Sequence, residues 1–303
     1  MLAQDFTTVT KEDIDLIAEA GGFSPSIVEQ PELASACEPE DAFISVDVSE
    51  DDIVFRADKL IYKLARTIVE DGPDAYDSFV NNNYEQITEA NGFDPRVSEV
   101  LMACFKYAIS RGSGRCADTL GSIYCSNGVL GEDWNNAETL FHIGMDLGFY
   151  RSTLNLGYIY EYGRTGVRDV KRAYEYYTLA AALWPTSESV YKLGDMYANG
   201  DAVERDMLRA RTLWEHSLDI AESVEEVALA SIRIAPLLID RSGDNGGAEF
   251  DPKKALDYFQ KAEIGIRRIL KRLSYDSIYY QEFLDEALDG QAKSRAILDE
   301  MEH

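Results

Sequence analysis

The sequence predicts an all-α chain in which helix–turn–helix units stack into a solenoid, and three observations carry that expectation. A Leu-Gly pair recurs at Leu120-Gly121, Leu156-Gly157 and Leu193-Gly194, advancing by 36 and then 37 residues. A tyrosine follows each leucine by four (Tyr124, Tyr160, Tyr197), and an alanine by 17 (Ala137, Ala173, Ala210). An aspartate stands four residues before each alanine (Asp133, Asp169, Asp206), and a bulky pair lies beyond it: Leu140-Phe141, Tyr176-Tyr177 and Leu213-Trp214.

Leucine and tyrosine four apart share one helix face and bury together against the next helix. The glycine beside the leucine admits a close approach by the paired helix. The aspartate precedes a helical pattern, where its carboxylate caps free amides and suits the positive helix end. Gly128, Gly163 and Gly200 follow the tyrosine and are expected to end the first helix in a left-handed conformation. One unit is therefore helix, turn, helix, with an apolar face that only a neighbouring unit covers.

The stretch Leu156–Ala181, LGYIYEYGRTGVRDVKRAYEYYTLAA, resembles the Sel1-like repeat, a tetratricopeptide-type unit. It has Leu-Gly, a tyrosine, Gly-x-x-Gly-Val, an aspartate, Lys-x-Ala, an aromatic pair and Ala-Ala. The repeat at Leu193 matches with a looser turn around Asp201 and Val203; the one at Leu120 matches best in its first helix. A fourth unit is altered: Ile234-Ala235 replaces Leu-Gly, and Asp251, Ala255, Tyr258-Phe259 and Ala262 reproduce a second helix. Pro236 is expected to kink or shorten its first helix by removing a backbone donor. Val97–Gly112 reads as another second helix. The resemblance implies a right-handed superhelical solenoid of helix–turn–helix repeats over 58–272, with its inner surface lined by first helices.

The two ends differ from this frame. Residues 1–57 hold fourteen acidic and two basic side chains and form an acidic N-terminal segment. There Thr10 and Asp13 suggest a capping box before a short helix ended by Gly21-Gly22. IAEAGGFSP echoes ITEANGFDP at Ile87–Pro95, and the alternation at Phe43–Val48 suits a short extended stretch. Over 273–303, Ile278, Phe283, Ala287 and Leu288 suggest a C-terminal capping helix or helix pair, with Gly290 as a break. Just before it, residues 253–272 carry seven basic and two acidic side chains, a segment onto which the acidic N-terminus could dock by self-association.

Composition narrows the classes of function. With 55 acidic against 29 basic residues the net charge is -26, which disfavours nucleic acid and anionic membranes and favours basic partners. No leader or membrane-length apolar run is evident, so a cytoplasmic protein is expected. Cys37, Cys104, Cys116 and Cys125 form no CxxC pair, and with His142, His216 and His303 they show no metal-ligand spacing. No catalytic, cofactor or metal site is expected. Cysteine-rich secreted Sel1-like proteins have been associated with β-lactam hydrolysis, but their two regularly spaced cysteines per repeat are missing here.

What the resemblance implies is a scaffold or adaptor that holds another protein in a concave groove. Projecting the helical period places Asp118, Ser122 and Ser126 there, then Asn155, Tyr158, Glu161 and Tyr162, then Tyr191, Asp195 and Asn199. Tyrosines beside carboxylates suit an extended segment bearing lysine or arginine. The alternatives are an acidic inhibitor or immunity-type protein that plugs a basic partner, a hydrolase like the cysteine-rich relatives, and end-to-end assembly of solenoids.

Overall fold

The computed structural model describes residues 4–32, 53–272 and 278–302, and among them there is no strand. Cys37 and the extended stretch expected at 43–48 lie outside the described residues. The chain divides into two compact units, Met1–Ile159 with Arg164–Val167 and Tyr160–Gly163 with Arg168–His303.

In the first unit, α1 (Lys11–Gly21) opens with the expected capping box: Thr10 accepts from the Asp13 amide, and the Asp13 carboxylate accepts from the Thr10 amide. Gly22 closes the helix at φ 67°. After α2 (Pro25–Glu29), α3 (Ile53–Arg66) runs on through a π-helical turn at Thr67–Asp71. The helices α4 (Pro73–Asn82), α5 (Tyr84–Asn91) and α6 (Arg96–Ser110) follow. α1, α3 and α6 pack on one another, burying Ile17, Leu64 and Leu101. The two echoing segments both join a helix end to a proline-led helix, yet their caps differ: Gly22 is left-handed, whereas Gly92 has φ -63°. α7 (Gly114–Tyr124) and α8 (Trp134–Asp146) form the first clear repeat, and α9 (Arg151–Tyr162) begins the next.

The second unit continues with α10 (Val170–Leu183), α11 (Ser187–Asn199), α12 (Met207–Asp219) and α13 (Val224–Ile234). At Pro236 the α-helix gives way to a 3-10 turn, Ala235–Leu238, as the missing backbone donor requires. α14 (Pro252–Arg272) and α15 (Ile278–Glu302) then pack side by side.

The repeats close in one way. The amides of Asp133, Asp169 and Asp206 each donate to the carbonyl of Tyr124, Tyr160 or Tyr197 at 2.9 Å. In the altered fourth unit Asp251 donates to Leu238 at the same distance, so Leu238 takes the tyrosine's place. Each aspartate then accepts amides of the following helix through its carboxylate, satisfying donors that a helix start leaves free. Two of the Leu-Gly glycines give the expected close approach: a Cβ on Gly121 would lie 2.7 Å from the Phe141 ring, and one on Gly194 2.7 Å from the Trp214 indole nitrogen.

Three expectations need correction. Gly163 and Gly200 are left-handed, but Gly128 is not among the positive-φ glycines; it leaves room for the Tyr84 hydroxyl, which a Cβ would meet at 2.1 Å. Gly290 does not break the last helix, because α15 runs through it and the Phe259 ring packs against its bare Cα. Leu288 points outward, 40% exposed, while Leu284, Ala287, Gln291 and Ser294 form the buried stripe.

Candidate functional site: a polar seam along the first helices

The residue immediately before each leucine landmark donates to an upstream carboxylate. Thr119 on α7 donates its hydroxyl to Asp77 on α4. Asn155 on α9 donates its amide to Asp118 on α7 at 2.8 Å, and Ser152 donates to the same oxygen at 2.8 Å. The Lys192 ammonium on α11 lies 3.0 Å from Glu161 Oε2. The Arg233 guanidinium on α13 grips Asp195 with two bonds of 2.6 Å. The first two rungs lie within the first unit and the last two within the second.

Burial sets the electrostatics. It pushes the Asp77 and Asp118 carboxyls above the usual carboxylate range, against the bonds from Thr119 and Ser152 that hold them down. At Lys192 burial is the largest single influence and works against the charge, but the facing Glu161 carboxylate, Tyr162 and Asp195 together outweigh it and leave the ammonium above its ordinary value of 10.5. Glu161 Oε2 also accepts the Tyr177 hydroxyl at 2.5 Å; burial first, then this carboxylate, hold that phenol well above 10.0. A second bond from Lys192, 3.0 Å long, reaches the Tyr162 hydroxyl. Asp195 also accepts the Trp214 indole N–H at 2.9 Å, and Arg233 lies 4.3 Å over the Tyr191 ring.

The residues expected on the partner-facing surface therefore divide. Asp118 and Tyr191 are buried. Asn155, Glu161 and Asp195 are half-buried and already paired, and Tyr158 is half-buried. Ser122, Ser126, Tyr162 and Asn199 are exposed, with Ser126 meeting the Tyr84 hydroxyl at 3.3 Å. The structure joins Asp118 to Asn155, Glu161 to Tyr162 through Lys192, and Tyr191 to Asp195 through Arg233. Thr119, Lys192, Arg233 and Asp77 escaped the sequence reading. Three of the four sit one residue before the leucine or isoleucine landmark, which is the signal that would have found them.

Among the described residues no group of three or more His, Cys, Asp or Glu side chains could hold a metal ion. Burial pushes the thiols of Cys116 and Cys125 up to about 12, so neither is a thiolate nucleophile at neutral pH. The basic segment on α14 is exposed, with Lys261 paired to Asp257 and Arg267 to Glu263 on its own helix. No helix among the described residues is long and apolar enough to cross a membrane.

The Sel1 repeat family model matches residues 151–183, 187–215 and 242–263. The α7–α8 unit lies outside those spans, although its Tyr124–Asp133 closure is the same. Among solved structures, the chain is similar to a Sel1 repeat protein from Oxalobacter formigenes at 15% identity and a TM-score of 0.45, over 68% of this chain and 83% of that one. A second is a protective antigen of uropathogenic Escherichia coli strains displaying an SLR fold: 16% identity, TM-score 0.48, covering 88% of this chain and 57% of that one. No curated protein matches the sequence.

Proposed function

Because the chain is a Sel1-like repeat protein, and such proteins generally act as protein-interaction scaffolds, we propose that it binds a protein segment on the surface carried by its first helices. One observation supports this above others: Tyr162 is 46% exposed, yet its hydroxyl is held by the buried Lys192 ammonium. An aromatic fixed from beneath and open above binds without first losing rotamer freedom, the property that makes tyrosines strong anchors at interfaces. The excess of acidic residues, 55 against 29, supports a basic partner. Glu161 and Asp195 are spent on internal pairs, so the partner's cations meet the wider acidic surface while Tyr162 and Asn199 offer a ring and an amide.

The test is affinity capture from native lysate at low and high salt, with the wild-type chain, Tyr162→Phe and Tyr162→Ala. A partner retained at both salts by wild type, captured more weakly with Tyr162→Phe and lost with Tyr162→Ala, is the expected result. The same partner on all three proteins would refute the role of Tyr162. A basic partner released from all three at high salt would favour the acidic-inhibitor reading.

A further inference from the structure

A cavity of about 300 Å³ opens between α3, α4 and α5 in the first unit. Its floor is apolar: Leu60 and Ala90 are buried and Phe79 is half-buried. Phe93 stands at its rim with 60% of its surface exposed, and Lys59 and Lys63 sit along one wall. From this we infer that the cavity is a binding site for a small amphipathic carboxylate, its acid group held by Lys59 and Lys63 and its apolar body against Phe79, Ala90 and Phe93.

Three features separate this cavity from ordinary surface. Lys59 and Lys63 are four residues apart on the same face of α3 and both line the cavity. Neither makes an ion pair among the described residues, in a chain where acidic side chains outnumber basic ones 55 to 29. Lys63 is also no helix-end cation, because the helical path continues through Thr67–Asp71.

The remaining lining orients the ligand. Asn83 donates one amide N–H to the Phe79 carbonyl at 2.7 Å, and the Gln86 amide is a further neutral polar group on the α5 wall. Glu89 also lies on that wall and repels an anion, so the carboxylate belongs on the α3 side. The volume is at the small end of ligand cavities, which are ~300–1,000 Å³. It suits one ring or a short branched chain, and the site is independent of the protein-binding surface proposed above.

The experiment is calorimetric titration of the full chain with 4-phenylbutanoate, and with its neutral amide and its amine as matched probes. Saturable 1:1 binding of the carboxylate is expected, with the amide and amine each weaker by about tenfold, the size two accessible ion pairs supply together. Lys59→Gln/Lys63→Gln should lower carboxylate affinity by about the same factor and leave the amide unchanged. These lysines are exposed, so the double variant keeps the fold, checked by an unchanged thermal midpoint. Equal binding of the three probes, carboxylate binding undiminished in the double variant, or no saturable binding to the wild-type chain would each overturn the assignment.

Discussion

Lys192 Nζ lies 3.0 Å from Glu161 Oε2, with the lysine side chain 3% and the glutamate 14% exposed, so this ion pair between neighbouring first helices is largely shielded from water. Removing one member leaves the other charged in a place that cannot solvate it. Lys192→Met is expected to cost about 3–5 kcal/mol, and adding Glu161→Gln to recover a large part of that loss. Urea unfolding of the two single variants and the double variant measures the coupling. Additive losses would show that the pair does not act as a unit.

The same pair gives the protein an alkaline limit. The folded pKa of Lys192 is raised above 10.5 and that of Tyr177 above 10.0, so the folded state holds both protons more tightly than the unfolded chain. Their stabilisation is complete below those ordinary values and is lost as pH rises through the folded ones. Thermal midpoints should be flat around neutrality and fall above about pH 10, less steeply in Tyr177→Phe.

Asp118 has the opposite sign from an ordinary surface carboxylate. Burial raises its pKa above 3.8, so its contribution to stability is greatest below that value and declines as pH rises through the folded one. At neutral pH its ionised form is a cost. Ser152 and Asn155 donate to one and the same oxygen, which an asparagine carbonyl can replace. Asp118→Asn should therefore be neutral or stabilising by up to about 1 kcal/mol at pH 7, with this group's acid-range pH dependence abolished. A loss of several kcal/mol on denaturation would contradict this account.

Gly290 and Phe259 form a close fit between α14 and α15: a Cβ at Gly290 would lie 2.3 Å from the ring. Gly290→Ala should destabilise by about 1–3 kcal/mol despite alanine's better helix propensity. Phe259→Leu should cost less in the Gly290→Ala background than alone, because the smaller side chain vacates the space the methyl needs. A denaturant-based double-mutant cycle reads this directly.

Arg205 holds Asp244 with bonds of 3.0 and 2.7 Å and also donates to the Ala198 carbonyl at 2.9 Å, but it is exposed. Arg205→Ala should cost no more than about 1 kcal/mol, and the difference should shrink as ionic strength rises. Chemical denaturation at two salt concentrations decides it.

Local, periodic features were legible from residue order alone. The Leu-Gly pairs, the capping aspartates, the Thr10 capping box and the break at Pro236 each act within one or two turns, where spacing determines geometry. The surface residues were less legible. Helical projection placed Asp118, Glu161 and Asp195 on the right helices, but a projection treats each helix as if nothing were beside it. Which neighbour covers a carboxylate depends on residues some 30 to 40 positions away, such as Lys192 for Glu161 and Arg233 for Asp195. Gly128 and Gly290 misled for the same reason, since a glycine needed to admit Tyr84 or Phe259 looks identical in sequence to one that ends a helix.

The amide-to-carbonyl closure of the repeats has a consequence for how the chain can change. Nine positions separate tyrosine from aspartate in three repeats, and thirteen separate Leu238 from Asp251, yet every closing bond measures 2.9 Å. The hairpin between the helices is thus pinned at its base while its length differs between repeats. Lengthening such a span costs only about 0.6 kcal/mol per doubling. Within the longer hairpin, the junction of Ser242 and Gly243, both exposed, is the natural place for this protein to accept foreign sequence, an epitope or a reporter, while Asp244 on Arg205 and Gly246 against the Met207 backbone keep the rest of the hairpin seated.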